Sequence, residues 1–414
     1  MILDVLGGVF ISSPRLSLHD FSWRLLQSEL FRSVRFRAHR TSVYHLSGRT
    51  KRSGADLSIV LATSERRASL ISRIAFSGDV EPELLGTIRL LDFNSVLEDL
   101  NPDMAFVYDN CIFADFFHKK NFFVMPEIDF SLKISGSWEF IIQQMCRTKR
   151  KMMRQIEKLG YECEITRDFE KLKVFYNDMY KPHLHEKYGK CANAVSFDVA
   201  QKHLLNGGLV LTKLNGEYVS GGIYYIRGDR LFVPLLSFKQ SHESSSHSAG
   251  LALLHFLILL GKGKGCSRID YEGAFPSFNY GLFRYKQTCG MNINVRKGWD
   301  ADTVAVQFNN FDEGVRDFVS DTPFVFEDVG LKGLAIVDSK VNLKSAYNVP
   351  GLSSLVGLCS KNYSCDLEEQ GGIPISVGHA LDPSLRSFLK LAMQKNYDAF
   401  ELDFKNNVRL HSTV

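Results

Sequence analysis

At 414 residues, 45% apolar and 12% aromatic, the chain can bury ordinary cores in two or three domains and is not a disordered polypeptide. Its net charge of +4 is too small to mark a nucleic-acid binder by charge alone. Its eight cysteines form no Cys-x-x-Cys pair and have no histidine at zinc-finger spacing, so they read as free thiols of a reducing compartment.

Residues 1–11 are apolar but short, carry Asp4 and lack a basic start, which argues against a signal peptide. No apolar run reaches membrane-spanning length, and the one over 251–260 is interrupted by His255. The expected location is cytoplasmic. The first third shows short strand patterns over 57–62, 104–109 and 122–125, and a helix over 90–100. The basic loop 47–54 reads as a solvated turn.

A helix is expected from Ser137, its N-cap, to Gly160, its stop. Trp138, Ile141, Met145, Met152, Ile156 and Leu159 would form its apolar stripe, with Arg147, Lys151, Arg154 and Lys158 on the opposite, solvated face. A strand follows over 161–166. Asp168 then caps a helix running toward Tyr180, and Ser196 caps another that ends near Gly208. Strands over 209–213, 218–226 and 230–238 are joined by Asn215-Gly216 and Gly228-Asp229, both hairpin dipeptides. An apolar helix over 250–260, a strand over 268–272 and a strand over 291–296 complete this part. Beyond residue 315 the pattern is a strand over 333–338, an apolar turn region, a helix over 383–395 and a strand over 399–404. The fold class is α/β. This last part is either a small domain or a return to the sheet of the N-terminal part.

The run 241–250 holds five serines and two histidines and leads from a strand into a helix. Small residues entering a helix leave unpaired N–H groups at the positive end of its dipole, which suits a phosphate. Ser246, His247, Ser248, Ala249, Gly250, Leu251 and Ala252 are the expected phosphate-binding run. Pro234 cannot donate to a ladder, so strand 230–238 is either bulged or at an edge. Asp270 and Glu272 share a face by period two and are candidates to accept a proton or anchor an ammonium. His183 and His185 diverge on a helix, and no metal site is expected.

Four segments together resemble the Fem-like branch of the GNAT acyltransferase superfamily. They are Arg147-Thr-Lys-Arg-Lys-Met-Met-Arg154, the aromatic-rich 175–183, the hairpin leading into the helix around Gly250, and 269–273 followed by Phe283-Arg-Tyr-Lys286 and Gly290. The resemblance implies a GNAT-like mixed sheet flanked by helices, with the acyltransferase domain over 137–310. Residues 1–136 would be a degenerate GNAT-like half, and 311–414 a small α/β part. It also implies Lys286 as a catalytic residue beside Asp270 and Glu272, and Tyr180, His183 and Tyr285 as substrate contacts. The implied donor is a phosphopantetheine thioester, acyl-CoA or acyl-carrier protein, and the implied acceptor an amine on a small molecule, glycan or peptide. An aminoacyl-tRNA donor is the alternative, although Gln287 and Thr288 stand where the tRNA-dependent enzymes carry basic residues. A non-catalytic scaffold is the third reading.

Overall fold

The computed structural model describes residues 39–110, 122–189, 192, 194–239, 245–295, 302–328, 330–337, 342–361, 370–375 and 383–404. Among these, two mixed sheets carry the architecture. One has seven strands, in the order Asn292–Asn294, Ile128–Lys133, Arg268–Ala274, Arg230–Phe238, Glu217–Arg227, Gly207–Leu214, Tyr161–Thr166. All its neighbours are antiparallel except Arg230–Phe238 and Arg268–Ala274, which run parallel. The fold is mixed α/β, with helices on the sheets.

The other sheet has eleven strands. Arg40–Arg49, Asp56–Ala62, Glu83–Arg89 and Met104–Asn110 lie at one end of it, and Gly330–Val337, Leu352–Ser360 and Tyr397–Asp403 at the other. The last part of the chain thus returns to the N-terminal sheet. Two strands cross in sequence: Ile128–Lys133 precedes residue 137 yet pairs into the seven-stranded sheet, and Asp302–Phe308 pairs with Met104–Asn110 in the other. One apolar core joins the two sheets, with Phe130, Phe278 and Phe283 in the same cluster as Val325, Leu355 and Phe400.

Several elements fall where the periodicity puts them. Asp168 accepts from the N–H of Glu170 at 2.8 Å and Ser196 from that of Val199 at 3.4 Å, so both are N-caps. Asn215, Gly216 and Gly228 take the left-handed conformation that tight hairpins need. The element after Ser137 differs. It is two short helices, Trp138–Gln143 and Arg147–Met153, and a 3₁₀ turn, Glu157–Leu159, rather than one helix. The break shifts the phase, so Ile141, Ile142, Met145, Met153 and Ile156 are buried while Leu159 is 49% exposed. Arg147, Lys151, Arg154 and Lys158 are all exposed. The apolar helix begins at Ser245 and runs to Gly263, five residues earlier than its apolar pattern. Residues 281–288 form a helix, Gly281–Thr288, in a stretch read as a connection between strands.

Candidate active site

The two parallel strands are paired from Arg230↔Arg268 to Val233↔Tyr271 and no further. Beyond that rung each follows its other neighbour. Leu235 to Phe238 continue against Ile223 to Ser220, after a register shift that takes in Pro234. Ala274 pairs with Ile128, after a shift of its own. A proline has no N–H for the ladder, so the sheet loosens where the chain can least hold it. Of the two readings of Pro234, the bulge is the one observed.

The fork opens into a cavity of about 460 Å³, within the range of about 300–1,000 Å³ usual for small-molecule sites. Its walls are Val233, Pro234 and Leu235 from one strand, Tyr271, Gly273 and Ala274 from the other, and Leu253, Leu254 and Leu257 from the helix Ser245–Gly263. Tyr285 and Lys286 enter from the helix Gly281–Thr288, and Tyr180, His183 and Lys187 from the segment 175–188. Arg66 and Leu70, on the helix Glu65–Ala75, reach it from the half that carries the larger sheet.

Lys286 is 3% exposed. Its ammonium lies 5.0 Å from the centre of the Phe130 ring and donates to the carbonyl of Gly273 at 3.4 Å. The Glu127 carboxylate also lies at Gly273, where a Cβ would stand 2.9 Å from its oxygen. A buried ammonium needs such polar surroundings, so Lys286 is an interior cation on the cavity wall rather than a solvated one.

Gly250 lines the cavity, with the Tyr285 hydroxyl 3.2 Å from where its Cβ would be. It stands in the second turn of its helix, so the free N–H groups of the first turn lie ahead of it. The start of this helix is anchored. Ser220 donates to the Ala249 carbonyl at 2.9 Å, and the Ser248 and Tyr161 hydroxyls are 2.7 Å apart. Leu251 and Ala252 are fully buried, and neither they nor Ala249 and Ser248 line the cavity. The side chains of Ser246 and His247 lie outside the described residues, as does that of Glu272.

Asp270 does not reach the cavity. It accepts from Arg230 at 2.6 Å and lies 3.4 Å from Arg268, a salt-bridge role on the face opposite Tyr271. His183 is 8% exposed, lies tilted against Phe238 with ring centres 4.4 Å apart, and has a buried Nδ1 without a partner among the described residues. Burial, with Lys187 nearby, lowers its pKa to about 4, so it is neutral at physiological pH. Tyr180 sits on a π-helical segment, Phe175–Tyr180, and its hydroxyl accepts from the N–H of Val195 at 3.3 Å. Burial holds the Tyr285 phenol well above its ordinary pKa, and the ammonium of Lys149 lies 5.0 Å from its ring centre. Tyr271 and Glu127 were not singled out in the sequence. Tyr271 carried a usable signal: by period two it faces away from Asp270.

Among the described residues no cluster of His, Cys, Asp or Glu is placed to hold a metal ion, and no helix is long and apolar enough to cross a membrane. No family model matches the chain, and no curated protein matches it. Solved structures do. FemX is 11% identical, with a TM-score of 0.37, over 72% of this chain and 98% of that one. L-PGS from Bacillus licheniformis is 13% identical, with a TM-score of 0.32, over 75% and 98%. A GCN5-related N-acetyltransferase from Sphaerobacter thermophilus is 10% identical, with a TM-score of 0.31, over 62% and 75%.

Proposed function

We propose that the chain is an N-acyltransferase that moves an acyl group from a phosphopantetheine thioester, on CoA or acyl-carrier protein, to an amine. The observation that carries this reading is the fork beyond Val233 and Tyr271, with its cavity and the buried Lys286 on its wall. An extended arm fits between strands that have parted, because their edges still offer unpaired backbone groups to its amides. The Gly250 helix closes one side, with its free first-turn N–H groups ahead of Gly250 to face phosphate.

Transfer then needs the acyl carbonyl held against a neutral amine. The nitrogen attacks, a C–N bond forms, and the carbonyl electron pair moves to oxygen. Collapse expels the thiolate, which takes up the proton that the amine sheds. Lys286 supplies positive charge to the developing anion. The amine must arrive neutral, and nothing in this reading requires a dedicated base.

A second reading, an aminoacyl-tRNA-dependent ligase, draws on the exposed Arg147, Lys151, Arg154 and Lys158, of which Arg154 also pairs with Glu139, as basic groups an RNA backbone could meet. Native mass spectrometry against acyl-CoA, acyl-carrier protein and aminoacyl-tRNA separates the readings. Capture of a thioester donor and a mass gain on an amine support the first. Capture of aminoacyl-tRNA alone moves the function to the second. Binding with no transfer points to a scaffold.

A further inference from the structure

Tyr271 stands on the last paired rung before the strands part, and it lines the cavity. It is 6% exposed, and its hydroxyl is buried with no hydrogen-bond partner among the described residues. The Cys289 thiol, whose charge is felt at this phenol, interacts instead with Tyr285. An unpaired buried hydroxyl is unfavourable and persists in a native structure mainly where something else completes it. Its ring belongs to the apolar core between the sheets, where a phenylalanine would fill nearly the same volume. The hydroxyl therefore answers to the cavity and not to the fold. Burial also holds its proton on, well above the ordinary phenol range, so it is a donor and not an anion.

We propose that Tyr271 is a catalytic residue of this site, donating its O–H to the carbonyl oxygen of the acyl group bound in the fork. The proposal rests on the acyl-transfer reading. In the ground state the phenol orients the carbonyl. As the amine nitrogen adds to carbon, the C=O electron pair moves to oxygen and the same O–H stabilises it. The phenol keeps its proton throughout, and the C–S bond breaks as the pair returns. The position explains why the donor sits at the fork's apex. There the cavity ends against the paired part of the sheet, and a carbonyl reaching that depth meets the Tyr271 hydroxyl on the paired rung.

The test uses two stable ligands: a ketone analogue of octanoyl-CoA, with a methylene between sulfur and carbonyl, and S-octyl-CoA, which lacks the carbonyl. The same pair is built on acyl-carrier protein. Binding is measured by calorimetry for the wild type and for Tyr271→Phe, beside thermal unfolding of each ligand-free protein. The wild type is expected to bind the ketone about 3- to 10-fold more tightly, the range of one hydrogen bond. Tyr271→Phe is expected to lose that preference, to bind the S-octyl ligand as before, and to unfold at the same or a higher temperature. A wild type without the preference, a variant that keeps it, or a variant that unfolds at a markedly lower temperature overturns the proposal and leaves acyl transfer standing. If neither analogue binds on either carrier, the thioester reading falls and the proposal falls with it.

Discussion

Val233 and Tyr271 face each other across the last rung of the parallel pair, and the cavity begins where their pairing ends. The physical cause lies one residue on, at Pro234, which cannot donate to a neighbour. The strand it interrupts keeps its antiparallel partner by shifting register, and the parallel partner is released. One residue's missing N–H, with the shift at Ala274 on the facing strand, thus makes space for a ligand in the sheet.

Lys286 is expected to contribute to turnover more than to capture. Lys286→Ala removes the ammonium beside Gly273 and Phe130 and should lower single-turnover transfer by about 10²–10³, the usual loss for one donor to a developing oxyanion. Donor affinity should change little. Transfer within a few-fold of wild type would make Lys286 a structural lysine.

Gly250→Trp is expected to abolish donor binding without unfolding the protein. The new side chain would start against the Tyr285 hydroxyl and Phe238 and extend into the cavity mouth. Calorimetry with acyl-CoA and far-ultraviolet circular dichroism check both halves of the statement. Unchanged affinity would take this helix out of the site.

His183 makes stability depend on pH. An unfolded histidine takes up a proton near 6.5, while His183 in the fold resists it until about 4. The stabilisation is complete above the unfolded value and is lost as pH falls from there toward the folded one. Between pH 7.5 and pH 5 the wild type should lose about 2 kcal/mol more than His183→Asn. Urea unfolding at the two pH values measures it, and parallel losses in the two proteins would contradict the linkage.

Gly290→Ala is expected to destabilise by about 3 kcal/mol or more, because it adds a left-handed backbone penalty to a backbone clash. Gly290 has φ +74°, and a Cβ there would run into the carbonyl of Gln144. This contact holds the end of the helix Gly281–Thr288 against the break at 144–146, where the N–H of Cys146 donates to Thr288 at 2.9 Å. A denaturation midpoint equal to wild type would refute it.

The sequence by itself determined local matters: the caps Asp168 and Ser196, the hairpins at Asn215 and Gly228, the strand 161–166 and the α/β class. These are decided by residues a few positions apart, through side-chain capping, left-handed turn conformations and alternation. It also marked Lys286, Gly250, Tyr180, His183 and Tyr285, which the fold brings to one cavity. Sequence distance hid the rest. Whether Pro234 meant an edge or a bulge depended on Arg268–Ala274 lying beside it. Whether 311–414 stood apart depended on strands far away in sequence finding free sheet edges. The helix after Ser137 breaks where Gln144 meets Gly290 and the N–H of Cys146 donates to Thr288, a tertiary demand that outweighs one unbroken apolar stripe. Asp270 and Tyr271 show the contrast most plainly. Adjacent in sequence, they are sent to opposite faces by the pleat, and only the position of the fork decides which of the two meets a ligand.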